Sequence, residues 1–381
     1  MQELCFGMVS QEVILLQKVL QRQNYYLGEI DGKFLNLTYE ALKRFQKEHY
    51  LVADGLVQES TWKVLEPYIE EIKDDNKKVI QTDQEYSIKQ LKKDVQKLKY
   101  RYPFLQIEAI GFSVLQNPIY GIALGWGKKE VFYTASIHAN EWITSLVLMK
   151  WLEEMCESYV EKKLLGGYDV HAILKETTIY LVPMCNPDGV DVVTGNIAKN
   201  SKAYEMVQKI AKEYPEIPFP MGWKANIEGI DLNLQFPAGW KQAKKIKFEQ
   251  GIVSPAPRDF VGNSSLCAVE AQALYHFTRL HDFKLILAYH TQGKEIYWQF
   301  QNYAPKEAFE IGKCFEKVSG YTLSDVPYAS SFAGYKDWFL QEYQRPGYTI
   351  EAGIGKSPLP LSQFDEIYKD NLGILLLGTS L

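Results

Sequence analysis

Apolar side chains recur at helical spacing three times near the start of the chain. Val13, Leu15, Leu16, Val19 and Leu20 form one stripe behind Ser10, residues 38–49 carry a second, and residues 58–69 a third. The segments between them, 25–34 and 52–57, hold the turn pairs Asp31-Gly32 and Asp54-Gly55. Three short helices in about 60 residues make a small unit, near the lower limit for a self-sufficient core. From residue 66 to 85 large apolar residues thin out among Glu, Lys, Asp and Gln, a composition that predicts a solvated linker.

Further on, the period of the pattern keeps changing. A surface helix is expected over 87–98. Strand-like runs at 111–124, 131–137, 178–184, 284–289 and 348–351 then alternate with helical runs such as 143–158, 201–213, 265–281 and 306–319. This alternation predicts an α/β fold: a mixed, mostly parallel twisted sheet with helices on both faces. About 300 residues suffice for a substantial core. No internal repeat or low-complexity tract is expected.

Candidate chemistry sits where strands end. His138 and Glu141 occupy the turn between the run 131–137 and the helix that follows, and His290 closes the run 284–289. In open α/β sheets ligands bind outside the carboxyl ends of strands. Two imidazoles and a carboxylate suit zinc, which in catalytic sites keeps three protein ligands and one open position. A His-x-x-Glu pair alone says little, since most such pairs are solvated surface residues.

The surrounding motifs add to it. His-Ala-Asn-Glu-Trp (138–142), Gly-Ile-Asp-Leu-Asn (229–233), Ala-Tyr-His-Thr-Gln-Gly (288–293), Gly-Tyr-Lys-Asp-Trp (334–338) and Tyr-Thr-Ile-Glu-Ala-Gly (348–353) follow one another in the order seen in zinc carboxypeptidases of the carboxypeptidase A type. Residues 84–381 resemble most the bacterial branch of that family that cuts γ-D-glutamyl-diamino acid bonds in peptidoglycan stem peptides. The resemblance implies one zinc ion held by His138, Glu141 and His290. It also implies Glu351 as general base and then acid, and Asp231 as acceptor of the free N–H of the first zinc histidine. Lys224 would be the cation beside the oxyanion, and Tyr328 a tyrosine that closes over substrate, although its spacing to Trp338 is one residue longer than the usual pattern. Asn233 and Lys336 fall at substrate-binding positions, Lys336 opposite the side chain after the cut bond. One departure stands out. Where carboxypeptidases carry Asn-Arg, this chain reads Asn233-Leu234. Leucine cannot make the bidentate grip of guanidinium on a terminal carboxylate, so weak ordinary exopeptidase activity is expected.

Residues 8–68 resemble the peptidoglycan-binding domain of wall hydrolases, through Ala-Leu-x-x-Phe-Gln, Tyr-Tyr-x-Gly-x-Ile-Asp-Gly-x-Phe and Asp-Gly-x-Val-x-x-x-Thr-Trp-x-x-Leu. The expected organisation is a three-helix wall-binding domain at 8–68, a linker at 69–84 and a metallopeptidase domain at 85–381. The expected function is hydrolysis of the γ-D-glutamyl-diaminopimelate bond. A carboxypeptidase releasing single residues and a catalytically silent wall-binding protein stand as alternatives.

Charge and cysteine content narrow the partners. With 42 Lys and Arg against 47 Asp and Glu the net charge is −5, and no basic stripe suggests nucleic acid. The five cysteines are scattered without ligand spacing, which points to free thiols in a reducing compartment. No run of 18 apolar residues occurs, and residues 1–7 lack the pattern of a secretory signal. The expectation is a cytoplasmic enzyme that meets muropeptides or wall during sporulation, recycling or after lysis.

Overall fold

The computed structural model describes residues 3–75 and 77–381. It divides into two compact units, Met1–Val79 and Ile80–Leu381.

The small unit holds α1 (Gln11–Arg22), α2 (Asn36–Glu48) and α3 (Glu59–Asp75). Ser10 caps α1 by accepting from the Val13 N–H at 3.3 Å, as the run of apolar residues behind it predicts. Leu16, Leu20, Leu42, Phe45 and Leu65 share one core. Helix α3 continues to Asp75, so the first residues of the expected linker are helical.

This unit contains a repeat that the sequence reading did not expect. Gln17 on α1 accepts from the Gly32 N–H at 2.9 Å, and its amide nitrogen lies 3.0 Å from Asp31, 3.1 Å from the Lys33 carbonyl and 3.1 Å from Thr38. Gln46 on α2 does the same: 2.9 Å to the Gly55 N–H, then 3.1 Å to Asp54, 2.9 Å to the Leu56 carbonyl and 3.3 Å to Thr61. Gly32 and Gly55 have φ of +72° and +75°, a region that glycine enters without penalty. What repeats is a glutamine, an Asp-Gly turn and a threonine; the apolar residues between them differ, which hides the pattern.

The large unit begins with α4 (Ile88–Arg101), β1 (Gln106–Phe112), β2 (Pro118–Leu124), β3 (Lys129–Thr134) and α5 (Ile143–Glu161). After the short ribbon of β4 (Leu164–Leu165) and β5 (Tyr168–Asp169) come α6 (Val170–Glu176), β6 (Thr177–Val182), α7 (Pro187–Val193), α8 (Lys202–Lys212), α9 (Trp240–Glu249) and α10 (Val269–Arg279). The rest is β7 (Phe283–His290), β8 (Glu295–Tyr297), α11 (Lys306–Ser319), β9 (Thr322–Ser324), α12 (Tyr335–Tyr343), β10 (Gly347–Glu351) and α13 (Phe364–Ser380). Eight strands form one sheet in the order β1-β2-β6-β3-β7-β10-β8-β9. Its centre, β6-β3-β7-β10, is parallel, while β1 with β2, β2 with β6, and β8 with β10 pair antiparallel.

Successive residues of a strand point to opposite faces, and β3 shows what each face meets. Phe132 packs on Phe277 of α10, with ring centroids 5.4 Å apart. Its neighbour Tyr133 packs on Trp151 of α5 at 5.5 Å and donates to the Leu375 carbonyl of α13 at 3.0 Å. Helices therefore cover both faces. The run 111–124, read as one strand, is a hairpin. Gln116 turns the chain at φ +62°, and Asp188 holds the turn by accepting from the Ser113 hydroxyl, the Leu115 N–H and the Asn117 amide at 2.6, 2.8 and 2.9 Å.

Candidate metal centre

Topology places the site. From β3 the chain crosses through α5 to β6 on one side, whereas β7 lies on the other, so the connections diverge above the carboxyl ends of β3 and β7. Such a switch point opens a crevice for ligand. His138 follows β3 and His290 is the last residue of β7. Glu351 ends β10 directly beside His290 in the parallel register.

His138 precedes and Glu141 ends a single 3₁₀ turn, Ala139–Glu141. Three residues per turn bring positions i and i+3 to one side, and this is why a three-residue spacing serves the pair here. A buried polar network fixes the turn. Thr144 accepts from the Ser136 N–H at 3.0 Å and donates to the Glu141 carbonyl at 2.7 Å. The Lys224 carbonyl accepts from the Ala139 N–H at 3.0 Å, and the Asn186 amide donates to the Ile137 and Ala225 carbonyls at 3.3 and 3.0 Å.

The donor atoms converge. Nδ1 of His138 lies 3.0 Å from Oε1 of Glu141, and Nδ1 of His290 lies 3.0 Å from Oε2 of Glu141 and 3.2 Å from Nδ1 of His138. All three ligand atoms fall within 4.8 Å of one another. The remote nitrogen of His138 sits 3.2 Å from Asp231, and against burial the carboxylates of Glu141 and Asp231 push the ring up to about 9; once a metal displaces the second proton, Asp231 holds the remaining N–H and the lone pair lies on the nitrogen that faces Glu141 and His290. Burial keeps His290 below the ordinary histidine value, in the neutral form that can ligate. Two imidazole nitrogens and a carboxylate, buried and held by a second carboxylate, form a donor set that fits a zinc ion.

Other charges crowd this set. Burial alone would raise the Glu141 carboxyl, but Lys224, His138 and His290 hold it well below the carboxylate range. The ammonium of Lys224 is 2.9 Å from Oε1 of Glu141. Burial also opposes ionisation of Asp231, and His138 beside it overcomes this and keeps its carboxyl low. Glu351 goes the other way: burial, then the negative charge of Glu141, push it up to about 8.

A pocket of about 250 Å³ opens over the site, lined by His138, His290, Lys224, Asp231 and Glu351 together with Asn233, Leu234 and Lys336. Most of the residues singled out in the sequence therefore meet in one place. Asn233 is held by the Tyr335 N–H, which donates to its side-chain oxygen at 3.0 Å. Lys336 lines the pocket but is engaged: its ammonium donates to the Gln299 carbonyl at 2.6 Å and pairs with Asp337 at 2.6 Å. Tyr328 does not line the pocket. It is 62% exposed, edge-on to Phe332 at 5.1 Å, on a segment that contributes Val326, Pro327 and Ser330 to the wall instead. Sequence reasoning missed Arg258 and Asp259 on the same wall. Their one signal is an Arg-Asp pair directly after Pro-Ala-Pro (255–257), a stiff loop rather than a solvated tail.

Fold and site together define a metallopeptidase, and comparison with known proteins places it. Residues 91–373 match the zinc carboxypeptidase family, and the chain belongs to that family. Residues 9–65 match a family described as a peptidoglycan binding domain. The chain is 42% identical to gamma-D-glutamyl-L-diamino acid endopeptidase 1 of Lysinibacillus sphaericus, over 79% of this chain and 74% of that protein. It is 35% identical to protein YqgT of Bacillus subtilis (strain 168), over 92% and 86%. Among solved structures, bovine thrombin-activatable fibrinolysis inhibitor bound to a tick carboxypeptidase inhibitor shares the fold, with a TM-score of 0.60 at 18% identity, over 78% of this chain and 97% of that one.

Proposed function

We propose that the protein is a zinc-dependent endopeptidase that hydrolyses the γ-D-glutamyl-diaminopimelate bond of peptidoglycan stem peptides. The observation that carries this reading is Leu234: beside a complete His138, Glu141 and His290 triad, the pocket wall presents an alkyl group where a terminal carboxylate would need a guanidinium. The match of the small unit to a peptidoglycan binding domain and the name of the Lysinibacillus relative support the same substrate. Tethering to an insoluble polymer raises the local concentration of the bond to be cut.

Zinc held by His138, Glu141 and His290 would polarise the scissile carbonyl and acidify the attacking water. Glu351 takes the proton of that water and returns it to the diaminopimelate amine as the bond breaks. A carboxyl raised to about 8 suits a group that must both take and give near neutral pH. Lys224, facing the same pocket, supplies positive charge for the carbonyl oxygen as it becomes anionic. Asp231 keeps His138 in the ligating tautomer.

The test is to incubate the purified protein with defined muropeptides and identify the new ends by mass spectrometry. The expected products carry a free diaminopimelate amine and a free γ-carboxyl on D-glutamate. Stepwise loss of single C-terminal residues would overturn the assignment.

A further inference from the structure

Four cations line the pocket: Lys224, Lys247, Arg258 and Lys336. Three are committed. Lys224 lies 2.9 Å from Glu141, Lys247 donates to Asp259 at 2.6 Å, and Lys336 is held by the Gln299 carbonyl and Asp337, each at 2.6 Å. Arg258 differs. Its Nε donates to Asp259 at 2.8 Å, whereas Nη1 and Nη2 make no hydrogen bond among the described residues. The open end of a guanidinium is a two-pronged donor shaped for a carboxylate.

The loop around it is built rather than loose. Pro257 accepts from the backbone N–H groups of Lys224 and Ala225 at 2.7 and 2.9 Å. The Asp259 N–H donates to Asp231 at 3.1 Å, and Asp259 itself is held at φ +69°, a left-handed conformation that side chains other than glycine rarely adopt. Arg258 is thus tied through its neighbours to the segment of Lys224, the cation that serves the carbonyl of the cut bond.

An anion expected on that side of the bond follows from the chemistry of the linkage. When glutamate is joined through its side chain, its α-carboxylate stays free, a few bonds from the scissile carbonyl on the acyl side. An ordinary α-linked peptide presents a side chain there, and an anion only where that residue is acidic. From these contacts we infer that Arg258 clamps the free α-carboxylate of the γ-linked D-glutamate and so makes the enzyme favour substrates whose acyl residue keeps a free carboxylate. This inference rests on the bond assignment above and names the residue that reads it.

The experiment uses the full chain and three synthetic tripeptides of L-Ala-γ-D-Glu-diaminopimelate: one unmodified, one with the glutamate α-carboxylate amidated, one with the diaminopimelate side-chain carboxylate amidated. KM and kcat are measured separately for wild type, Arg258→Ala and Arg258→Lys, with zinc content and melting temperature recorded for each. Wild type is expected to lose roughly 10- to 100-fold in kcat/KM on the α-amide, the range for a hydrogen-bonded charge. Arg258→Ala is expected to cut the unmodified peptide and the α-amide at the same low rate, and Arg258→Lys to regain part of the preference. An Arg258→Ala variant that still prefers the free α-carboxylate overturns the clamp, as does one whose loss vanishes instead on the peptide amidated at diaminopimelate. If wild type cuts none of the three, the bond assignment itself is overturned, and the clamp with it.

Discussion

Both units bury polar side chains, and they use them in opposite ways. In the small unit Gln17 and Gln46 are neutral, fully enclosed and surrounded by partners, so each acts as a pin that ties a helix to an Asp-Gly turn. In the large unit His138, Glu141, His290, Lys224 and Glu351 bury charge against charge, and their proton affinities are pulled apart. Satisfied neutral groups specify structure at little electrostatic cost. Crowded ionisable groups hold interaction energy that a ligand can draw on, and perturbed values of this kind collect at functional sites. One rule of burial thus yields a scaffold in the first unit and a reaction centre in the second.

The sharpest way to break this contrast is Glu351→Gln. Removing the proton carrier is expected to lower kcat on muropeptides by roughly 10³-fold, while the melting temperature holds or rises, because a raised carboxyl disfavours the fold. A large fall in melting temperature would class Glu351 with the glutamine pins.

Next in size is Gln46→Leu. It strands the buried Gly55 N–H and takes the amide donor from Asp54, the Leu56 carbonyl and Thr61, the last two keeping only the hydroxyl contact between them, at a cost of ~3 kcal/mol. For so small a unit that is most of its stability. Sedimentation with insoluble peptidoglycan should fail, yet hydrolysis of a soluble tripeptide should stay within about twofold.

A third test concerns Glu270, a buried carboxylate outside the pocket that accepts from Asn226 and the Val114 N–H at 3.1 and 3.3 Å. Burial pushes its carboxyl up from 4.5 to about 7. Between those values the fold keeps a proton that the unfolded chain has released. Stability therefore falls as pH rises through this window and levels off above it. Urea unfolding of the large unit should show Glu270→Gln flattening this dependence by up to ~3 kcal/mol. An unchanged slope would refute the assignment.

The smallest expected change is a gain. Leu234→Arg should raise kcat/KM on ordinary peptides with a free terminus by about tenfold, read by release of C-terminal residues. No gain at intact zinc content would show that Leu234 does not govern this choice.

Much of the site was legible because it rests on local geometry. His138 and Glu141 share a turn that follows a strand, His290 and Glu351 close strands, and a residue at a strand's end points where the strand points. The helix expected over 306–319 spans Lys306–Ser319. What escaped depends on distant partners. Lys336 lines the pocket, and what its place in the sequence does not reveal is that the Gln299 carbonyl, 37 residues away, takes up its ammonium together with Asp337. Tyr328 carries no local signal of its orientation, and without substrate it is exposed, where a tyrosine that closes over substrate would start. The hairpin at 113–117 did leave a trace, the Asn117-Pro118 pair, which marks a turn more strongly than the apolar run around it marks a strand. Helix α13 is apolar around much of its surface, burying Ile374, Leu375 and Leu376, and so lacks the one-sided stripe that announces a surface helix.

Everything proposed for the large unit requires that His138, Glu141 and His290 together hold a single catalytic metal. The most direct test is the zinc content of purified wild type and His290→Ala, by plasma mass spectrometry, alongside muropeptide hydrolysis before and after chelation. About one zinc per wild-type chain is expected, with little in the variant, and activity that chelator removes and zinc restores. Full activity in metal-stripped protein, or undiminished zinc in His290→Ala, would contradict it.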